Sequence, residues 1–172
     1  MSKKSISCDH FQSSFQSPLG LIYIVASPRG LVSLNWTKQS GIQFLESNQA
    51  NKYYNALKFI FTKTTSEIEA YFKCKKVEFL ILLDLKGTQF QITVWNQLSK
   101  IQFGKTYSYK DIAIKIKKPK AFRAVGNAIG KNPICIIIPC HRVISSNGNL
   151  GGFSAGLDKK KYLLKIEKLG VI

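Results

Sequence analysis

The chain of 172 residues carries 26 Lys and Arg against 9 Asp and Glu, which gives a formal net charge of +17. Its hydrophobic content of 45% and aromatic content of 12% exclude a disordered basic tail, because such tails lack the apolar side chains that build a core. A folded protein with this charge is expected to bind a polyanion, and nucleic acid is the leading candidate. The alternative is a basic surface that serves only solubility.

The N-terminus and the cysteines indicate the compartment. Residues 1–14 contain no apolar stretch of the kind found in secretory signals. The longest aliphatic run, 134–138, is far shorter than the ~20 residues that a membrane-spanning helix needs. We therefore expect a cytoplasmic, DNA-associated protein with reduced cysteines and no membrane partner. No C-x-x-C pair is present, so Cys8 and His10 are interpreted as incidental, and neither a metal site nor a cofactor is predicted.

The first half of the chain combines strands with one long helix. Residues 19–26 are rich in β-branched side chains, and residues 32–36 alternate apolar with polar ones. These two segments predict a hairpin around the turn at 28–30. Apolar residues at i, i+3 and i+4 predict a helix over 50–72, and a further strand is predicted at 79–85.

The second half is predicted to be mainly helical. A boundary after residue 86 divides the chain into an N-terminal domain, 1–86, and a C-terminal domain, 87–172. Capping boxes at 88–91 and 108–111 predict the starts of two helices. A third helix is predicted at 120–130, after a short basic turn. Two short helices joined by such a turn resemble a helix-turn-helix.

The helix predicted at 120–130 has two distinct sides. Its core side is predicted to consist of Phe122, Val125 and Ile129, spaced at i, i+3 and i+7. The other side combines small residues with cationic and amide side chains: Ala121, Arg123, Ala124, Asn127, Ala128 and Lys131. Small residues beside cations let a helix approach a nucleic-acid backbone closely, and the surrounding lysines favour a salt-dependent interaction with DNA. Alternatively, the small residues pack against a neighbouring helix.

The segment that carries chemistry begins with a predicted buried strand at 134–138. It leads directly into Pro139, Cys140, His141, Arg142 and Val143. An imidazole or a cation beside a thiol lowers its pKa, and the thiolate is the competent nucleophile. The sequence therefore indicates an activated Cys140. The alternative is a structural core cysteine, since a Cys-His dipeptide alone is weakly specific.

The last predicted helix, 158–168, carries one carboxylate on its apolar face. Glu167 lies between Leu163 and Leu164 on a helical wheel, and an unpaired buried carboxylate is costly. His141 is the expected partner, which gives a Cys–His–Glu relay in which the carboxylate orients the imidazole. Alternatively, Glu167 pairs with a lysine or reaches solvent.

These motifs together resemble the methylated-DNA–protein-cysteine methyltransferases, the O6-alkylguanine-DNA alkyltransferase family. The resemblance covers nearly the whole chain, and its combination of motifs is highly specific. The matching segments are Ile138–Val143, Arg123–Gly126, Asn132–Pro133, Gly152–Ser154, Leu163–Glu167, Gly87–Trp95, Gly104–Tyr109, Ser17–Gly20 and Gly30–Leu34.

The resemblance implies an α/β protein with two domains. The N-terminal domain would be a ribonuclease-H-like α/β unit without catalytic residues of its own, and the C-terminal domain a winged-helix-like unit with a helix-turn-helix. The partner would be double-stranded DNA containing O6-alkylguanine, bound by a monomer through the minor groove. Arg123 matches the residue that replaces the flipped guanine in the stack, and Tyr109 matches the tyrosine that helps to rotate the nucleotide out.

The resemblance also implies a chemical role for each site residue. Cys140 would take the alkyl group in one irreversible displacement, after His141 removes the thiol proton through a water with Glu167 behind it. Tyr109 would donate a proton toward the guanine. The base edge would be read near Cys140 and by the residues Val143 and Ser154, and Asn132 would tie the recognition helix to the active-site segment. Each molecule would act once.

The sequence departs from the family pattern at two places, and three other functions are weighed against the one that the resemblance implies. Phe153 stands where many relatives have Tyr, and Lys117-Lys118 replaces a turn that contains Gly. Alkyltransferase-like DNA binders lack the reactive cysteine, so the presence of Cys140 argues against that class. A helix-turn-helix regulator would not need the predicted relay. A cysteine hydrolase would have to turn over and leaves the basic helix unexplained.

Overall fold

The computed structural model describes residues 10–45, 53–74 and 78–169. It is a mixed α/β protein with an N-terminal sheet unit and a helical C-terminal unit. Within the described ranges, no helix is both long enough and apolar enough to cross a membrane.

The N-terminal sheet has four strands in the order β3-β2-β1-β4. Its strands are β1 (Phe11–Ser17), β2 (Gly20–Ser27), β3 (Gly30–Asn35) and β4 (Gln43–Phe44). The predicted hairpin is the antiparallel β2–β3 pair, and β1 pairs antiparallel with β2 over its whole length. The sequence pattern missed β1, because its Gln and Ser residues have low strand propensity and only the pairing with β2 makes it a strand.

One helix, α1 (Tyr54–Phe72), packs against β1 and β2 of the sheet. Its buried residues include Leu57, Ile68 and Tyr71, all of which are 1% exposed or less. This confirms the helix predicted from the apolar spacing. The predicted start at residue 50 lies outside the described residues.

The strand predicted at 79–85 is not a regular strand. Over the described part of this segment, only Leu83 forms a bridge, a parallel one to Leu31. The Leu31 amide donates to the Leu82 carbonyl, and the Asp84 amide donates to the Leu31 carbonyl, both at 2.8 Å. The apolar run misled the prediction, because Leu82 is 77% exposed and the segment only touches the edge of β3. A Cβ at Gly30 would lie 2.5 Å from the Leu82 oxygen, so this close approach requires glycine.

Three of the helices in the C-terminal unit correspond to predicted ones, and the first two begin at the predicted capping boxes. They are α2 (Gln89–Leu98), α3 (Tyr109–Lys115) and α4 (Phe122–Gly130). Both predicted capping boxes are confirmed, with reciprocal side-chain and backbone hydrogen bonds at Thr88 and at Ser108. The predicted third helix begins instead with a 3-10 turn, Pro119–Ala121, and becomes α-helical only at Phe122.

The strand predicted at 134–138 is a series of tight turns. Two of its amides bond within the segment, from Ile137 to the Cys135 carbonyl at 2.8 Å and from Ile138 to the Ile134 carbonyl at 3.0 Å, and Ile136 has a φ of 70°. The flanking Pro133 and Pro139 lack the amide hydrogens that a strand ladder needs, which favours turns over pairing. The segment is deeply buried, as predicted. It touches β3 at one bridge, between Leu34 and Ile134, and so packs against the sheet of the N-terminal unit.

A pair of short strands and a last helix complete the C-terminal unit. A short parallel pair joins β5 (Tyr107–Ser108) to β6 (Val143–Ile144), and α5 (Leu157–Leu169) closes the chain. The apolar face of α5 buries Leu163 and Ile166 in a core that is continuous with that of the sheet unit. This shared core positions α5 against the turn within Pro139–Val143.

Candidate active site

Cys140 begins a 3-10 turn, Cys140–Arg142, that follows the buried turns at 134–138. Because this segment is a turn and not a strand, the side chains of Cys140 and His141 are not constrained to opposite faces of a sheet. Cys140 is 3% exposed and His141 is fully buried. The nucleophile candidate therefore lies in an environment from which bulk water is largely excluded.

Three neighbours determine the acidity of the Cys140 thiol. A hydrogen bond with the Cys135 thiol lowers the pKa of Cys140 most; burial acts in the opposite direction, and the Asn132 amide and the Lys160 ammonium lower the pKa further. The pKa of Cys135 is raised by the same hydrogen bond and by burial. Because the thiolate is the nucleophile, this arrangement favours the reactive form of Cys140 over that of Cys135.

His141 forms a relay with Glu167 of α5. The imidazole Nε2 lies 2.6 Å from Glu167 Oε1, and both side chains are 1% exposed or less. Burial lowers the pKa of His141, although Glu167 partly offsets this effect, so the imidazole is neutral at neutral pH. A neutral His141 that donates from Nε2 keeps Nδ1 as a proton acceptor, and Nδ1 has no hydrogen-bond partner within the described residues.

Arg142 holds the carboxylate of this relay. Its Nε donates to Glu167 Oε2 at 2.9 Å and its Nη2 donates to Oε1 at 3.0 Å, while Nη1 donates to the Ile101 carbonyl. The Gly104 amide also donates to Oε2, at 3.1 Å. Burial raises the pKa of Glu167, but the bonds and charges of His141 and Arg142 outweigh this and lower it to about 2. Glu167 is therefore a fixed anion behind the imidazole.

Lys160, one further side chain of α5, is fully buried. Its Nζ donates to the Val143 carbonyl at 2.6 Å and also to the carbonyls of Leu150 and Gly152. Burial lowers the pKa of Lys160 to about 8, and the nearby Cys140 thiolate partly opposes this shift. Lys160 thus ties the loop after β6 to α5 and supplies positive charge near the thiol.

Tyr109, at the start of α3, lies close enough to Cys140 for the two groups to interact electrostatically. Burial and the nearby Cys140 raise the pKa of its phenol, so the hydroxyl stays protonated, while the Gly152 amide donates to the phenol oxygen. Gly151 has a φ of +66°, and a Cβ there would lie 2.8 Å from the Tyr109 oxygen, so this loop packs onto the phenol only with glycine. A surface cavity of about 320 Å³ opens beside Tyr109, lined also by Phe122, Gly126 and Ser145.

The surface of α4 differs in two positions from the prediction. Five of the six residues predicted to meet DNA are exposed or half-buried. They are Ala121, Arg123, Ala124, Asn127 and Lys131. The exception is Ala128, which is 3% exposed, because α2 packs on that side and Trp95 Nε1 donates to the Ala128 carbonyl at 2.8 Å. Phe122, predicted to face the core, is 37% exposed and lines the cavity beside Tyr109. The core stripe of α4 is therefore Val125, Ala128 and Ile129.

No grouping of three or more His, Cys, Asp or Glu side chains suited to a metal ion occurs in the described ranges. Cys8, which was considered with His10, lies outside these ranges.

Comparison with known proteins decides the family. The model of the "6-O-methylguanine DNA methyltransferase, ribonuclease-like domain" matches residues 11–85, and that of the "6-O-methylguanine DNA methyltransferase, DNA binding domain" matches residues 89–169. The chain belongs to the 6-O-methylguanine DNA methyltransferase family. The resemblance inferred from the motifs is confirmed.

Members of the 6-O-methylguanine DNA methyltransferase family from distant sources align with most of the chain. The methylated-DNA–protein-cysteine methyltransferase of Methanosarcina barkeri is 43% identical over 154 residues, covering 89% of this chain and 94% of the relative. A probable enzyme of the same name from Acanthamoeba polyphaga mimivirus is 44% identical over 152 residues, covering 86% and 96%. The crystal structure of Mycobacterium tuberculosis OGT in complex with DNA superposes with a TM-score of 0.82 at 36% identity, covering 93% and 94%.

Three further residues predicted to belong to the site, Asn132, Val143 and Ser154, differ in burial. Asn132 is buried two residues after the end of α4, where its amide donates to the Ile138 carbonyl at 2.8 Å and its oxygen accepts from the Ile134 amide at 3.1 Å. It thus ties the helix to the turns before Cys140. Val143 is buried in β6, whereas Ser154 is exposed in the loop that precedes α5.

Sequence reasoning missed two side chains that contact the relay or the thiol, and it underused a third. Arg142 was interpreted only as a cation beside the thiol, and neither Lys160 nor Tyr71 was singled out, Tyr71 being one of the apolar residues whose spacing predicted α1. The one available signal was Lys160, because its position three residues before Leu163 puts a lysine on the apolar face of α5. Tyr71 is more than ninety residues from Glu167 in sequence, and no local pattern connects them.

Proposed function

We propose that this protein repairs DNA by direct reversal, transferring the alkyl group of O6-alkylguanine to the Cys140 sulfur. The observation that carries the proposal is the buried thiol with a lowered pKa next to the His141–Glu167 relay, in a chain of the 6-O-methylguanine DNA methyltransferase family. The names of its relatives describe the same reaction class, a methyl transfer from DNA to a protein cysteine.

The reaction is a single nucleophilic displacement at the alkyl carbon. Neutral His141 takes the thiol proton at Nδ1, through a bridging water, and Glu167 stabilises the imidazolium. The Cys140 thiolate attacks the alkyl carbon, so that a sulfur–carbon bond forms as the bond between that carbon and O6 breaks. The electron pair leaves with guanine, and Tyr109 donates the proton that neutralises it. The thioether is stable, so each molecule acts once and no cofactor takes part.

DNA is the partner in this proposal, and α4 is the element that meets it. The exposed Arg123, Ala124, Asn127 and Lys131 form a narrow, cationic surface suited to the minor groove, and the DNA-bound Mycobacterium tuberculosis structure has a similar fold. Arg123 replaces the flipped base in the stack, and the base enters beside Tyr109, near Val143 and Ser154. Ala128 is left out of this surface because it is buried.

The wider organisation follows from the same proposal. The chain would comprise a ribonuclease-H-like domain, 1–86, and a winged-helix-like domain, 87–172. It would act on double-stranded DNA as a monomer in the cytoplasm or nucleoid. The retained thiol and its relay favour the enzyme over a non-catalytic DNA binder or a plain helix-turn-helix regulator.

Intact-mass spectrometry tests the proposal. The protein is mixed with a duplex that contains one O6-methylguanine, and we expect one added methyl group per protein, on Cys140, reaching a stoichiometric limit. Cys140→Ser should take up none, whereas Cys74→Ser, which alters a half-buried cysteine outside the site, should behave as the parent protein. Tight binding of the duplex without an adduct would leave only the DNA binder, and continued turnover would favour a hydrolase.

A further inference from the structure

Tyr71 belongs to the N-terminal unit and reaches the catalytic relay. It lies near the end of α1 and is 1% exposed. Its hydroxyl donates to Glu167 Oε1 at 2.7 Å and lies 3.3 Å from His141 Nε2. The same carboxylate oxygen accepts the hydrogen bond from His141 at 2.6 Å. The phenol and the imidazole therefore share one acceptor atom.

The ring of Tyr71 is held by aromatic neighbours on several sides. Phe72 and Phe103 meet it edge to face, with ring centroids 5.7 and 6.0 Å away, and Phe79 lies at 6.2 Å. The His141 ring lies at 6.4 Å and an angle of 70°. Such a packed ring has few accessible rotamers, so the direction of its hydroxyl is defined before any substrate binds.

The protonation state of Tyr71 makes it a donor. Burial and the neighbouring Glu167 anion raise the pKa of the phenol, so it keeps its proton at neutral pH. Glu167 is ionised at neutral pH because its pKa is lowered to about 2. The hydrogen bond is therefore charge-assisted and runs in one direction, from Tyr71 to Glu167.

We propose that Tyr71 is a positioning residue for alkyl transfer, by which the N-terminal unit aligns Glu167 Oε1 with His141 Nε2. This inference rests on the proposed function. Tyr71 does not touch the reacting atoms and acts through the relay alone. The N-terminal unit thus supports the chemistry through a positioning residue, which is compatible with the expectation that it carries no catalytic residue of its own.

Removal of the hydroxyl has two separable consequences. The first is a slower reaction, because Glu167 and His141 lose a constraint on their alignment. The second concerns the basicity of His141, which faces Glu167 and Lys160 from α5, Tyr71 from α1, and Arg142 from its own turn. With one donor fewer on Oε1, Glu167 stabilises the imidazolium more strongly, and the pKa of His141 rises.

Full-length Tyr71→Phe tests this inference, with Tyr162→Phe as the matched control. Tyr162 lies on α5 and packs against Phe72, with ring centroids 6.4 Å apart, and none of the contacts described joins it to the relay. Single-turnover methyl transfer is measured at saturating methylated duplex between about pH 5.5 and 8.5. We expect Tyr71→Phe to react about tenfold more slowly, with unchanged affinity for the duplex and with the midpoint of its acid limb moved to higher pH. The control should match the parent in all three quantities.

A second measurement needs no substitution. In the parent protein, NMR should detect the Tyr71 hydroxyl proton in slow exchange, close to the His141 ring. A freely exchanging hydroxyl would overturn the inference. This test uses the parent protein, so it remains valid even if Tyr71→Phe does not fold. Equal rates and equal acid midpoints in Tyr71→Phe and the parent would overturn it as well, as would slowing without any shift of the midpoint. If the parent itself acquires no methyl group, it is the proposed function that fails.

Discussion

Replacement of Glu167 by Gln removes one charge from the centre of the relay while keeping its size. The carboxylate is 1% exposed and is bonded to His141, Arg142, Tyr71 and the Gly104 amide. Gln can accept some of these bonds, but it leaves the Arg142 guanidinium buried without a counterion. Loss of one partner of a buried pair is destabilising because the other charge remains desolvated.

The pKa of Glu167 gives the size of the expected loss of stability. Its pKa falls from 4.5 to about 2 on folding. This difference corresponds to ~3 kcal/mol of native-state stabilisation at neutral pH. Because the folded pKa is the lower one, the stabilisation is complete above about pH 4.5 and is lost as the pH falls toward 2. Glu167→Gln should therefore be less stable by ~3 kcal/mol at pH 7, and the gap should narrow to roughly half at pH 3.

Urea unfolding followed by circular dichroism measures the difference in unfolding free energy between the parent and Glu167→Gln at pH 7, 4 and 3. Glu69→Gln, on the exposed side of α1, is the control and should leave the unfolding free energy almost unchanged. A Glu167→Gln protein as stable as the parent at pH 7 would refute the reasoning. So would a deficit that stays constant as the pH is lowered.

Two further predictions concern α4 and the turn before it. Arg123→Ala should slow alkyl transfer from duplex DNA sharply but leave the reaction with the free modified base nearly unchanged. The reason is that the exposed Arg123 is assigned to DNA binding and not to the thiol. Equal slowing on both substrates would make Arg123 a structural residue. Lys117 is exposed and has a φ of 59°, so Lys117→Gly should raise the unfolding free energy by ~1 kcal/mol in urea titrations. Lys118→Gly, at a φ of −133°, should lower it, and stabilisation by both substitutions would contradict the strain argument.

The Lys117 result would also explain a departure from the family pattern. The resemblance indicated that relatives have a Gly-containing turn where this chain has Lys117-Lys118. The left-handed conformation of Lys117 shows why glycine suits that turn. The backbone keeps the turn despite the lysine, which adds a cation close to α4.

Local signals predicted the helices of this protein well. The capping boxes at Thr88 and Ser108 depend on residues three positions apart, and such short-range hydrogen bonds form wherever the segment becomes helical. The apolar spacing likewise predicted α1, α5 and the burial of Glu167. The pairing of Glu167 with His141 could be proposed because only one imidazole stood beside the thiol.

Local signals failed where the neighbouring element decides the conformation. The apolar runs at 79–85 and 134–138 suggested strands, yet each forms one bridge to β3 within the described residues. The pattern of α4 put Ala128 on the DNA side, whereas packing of α2 with Trp95 turned that side inward. Alternation and helical spacing specify which residues are apolar, but not which partner covers them.

The sequence by itself determined the chemistry of this protein, because the Pro139–Val143 motif, the acidic residue of α5 and the excess of lysines are local and compositional features. Only the tertiary structure decided how that chemistry is supported. Arg142 clamps Glu167, Lys160 ties the loop after β6 to α5, and Tyr71 reaches the relay from the other unit. These contacts join residues up to 96 positions apart, and burial in one shared core brings them within hydrogen-bond distance. The net charge of +17 directs the protein to a polyanion, whereas the reaction depends on a few side chains that the core holds in place.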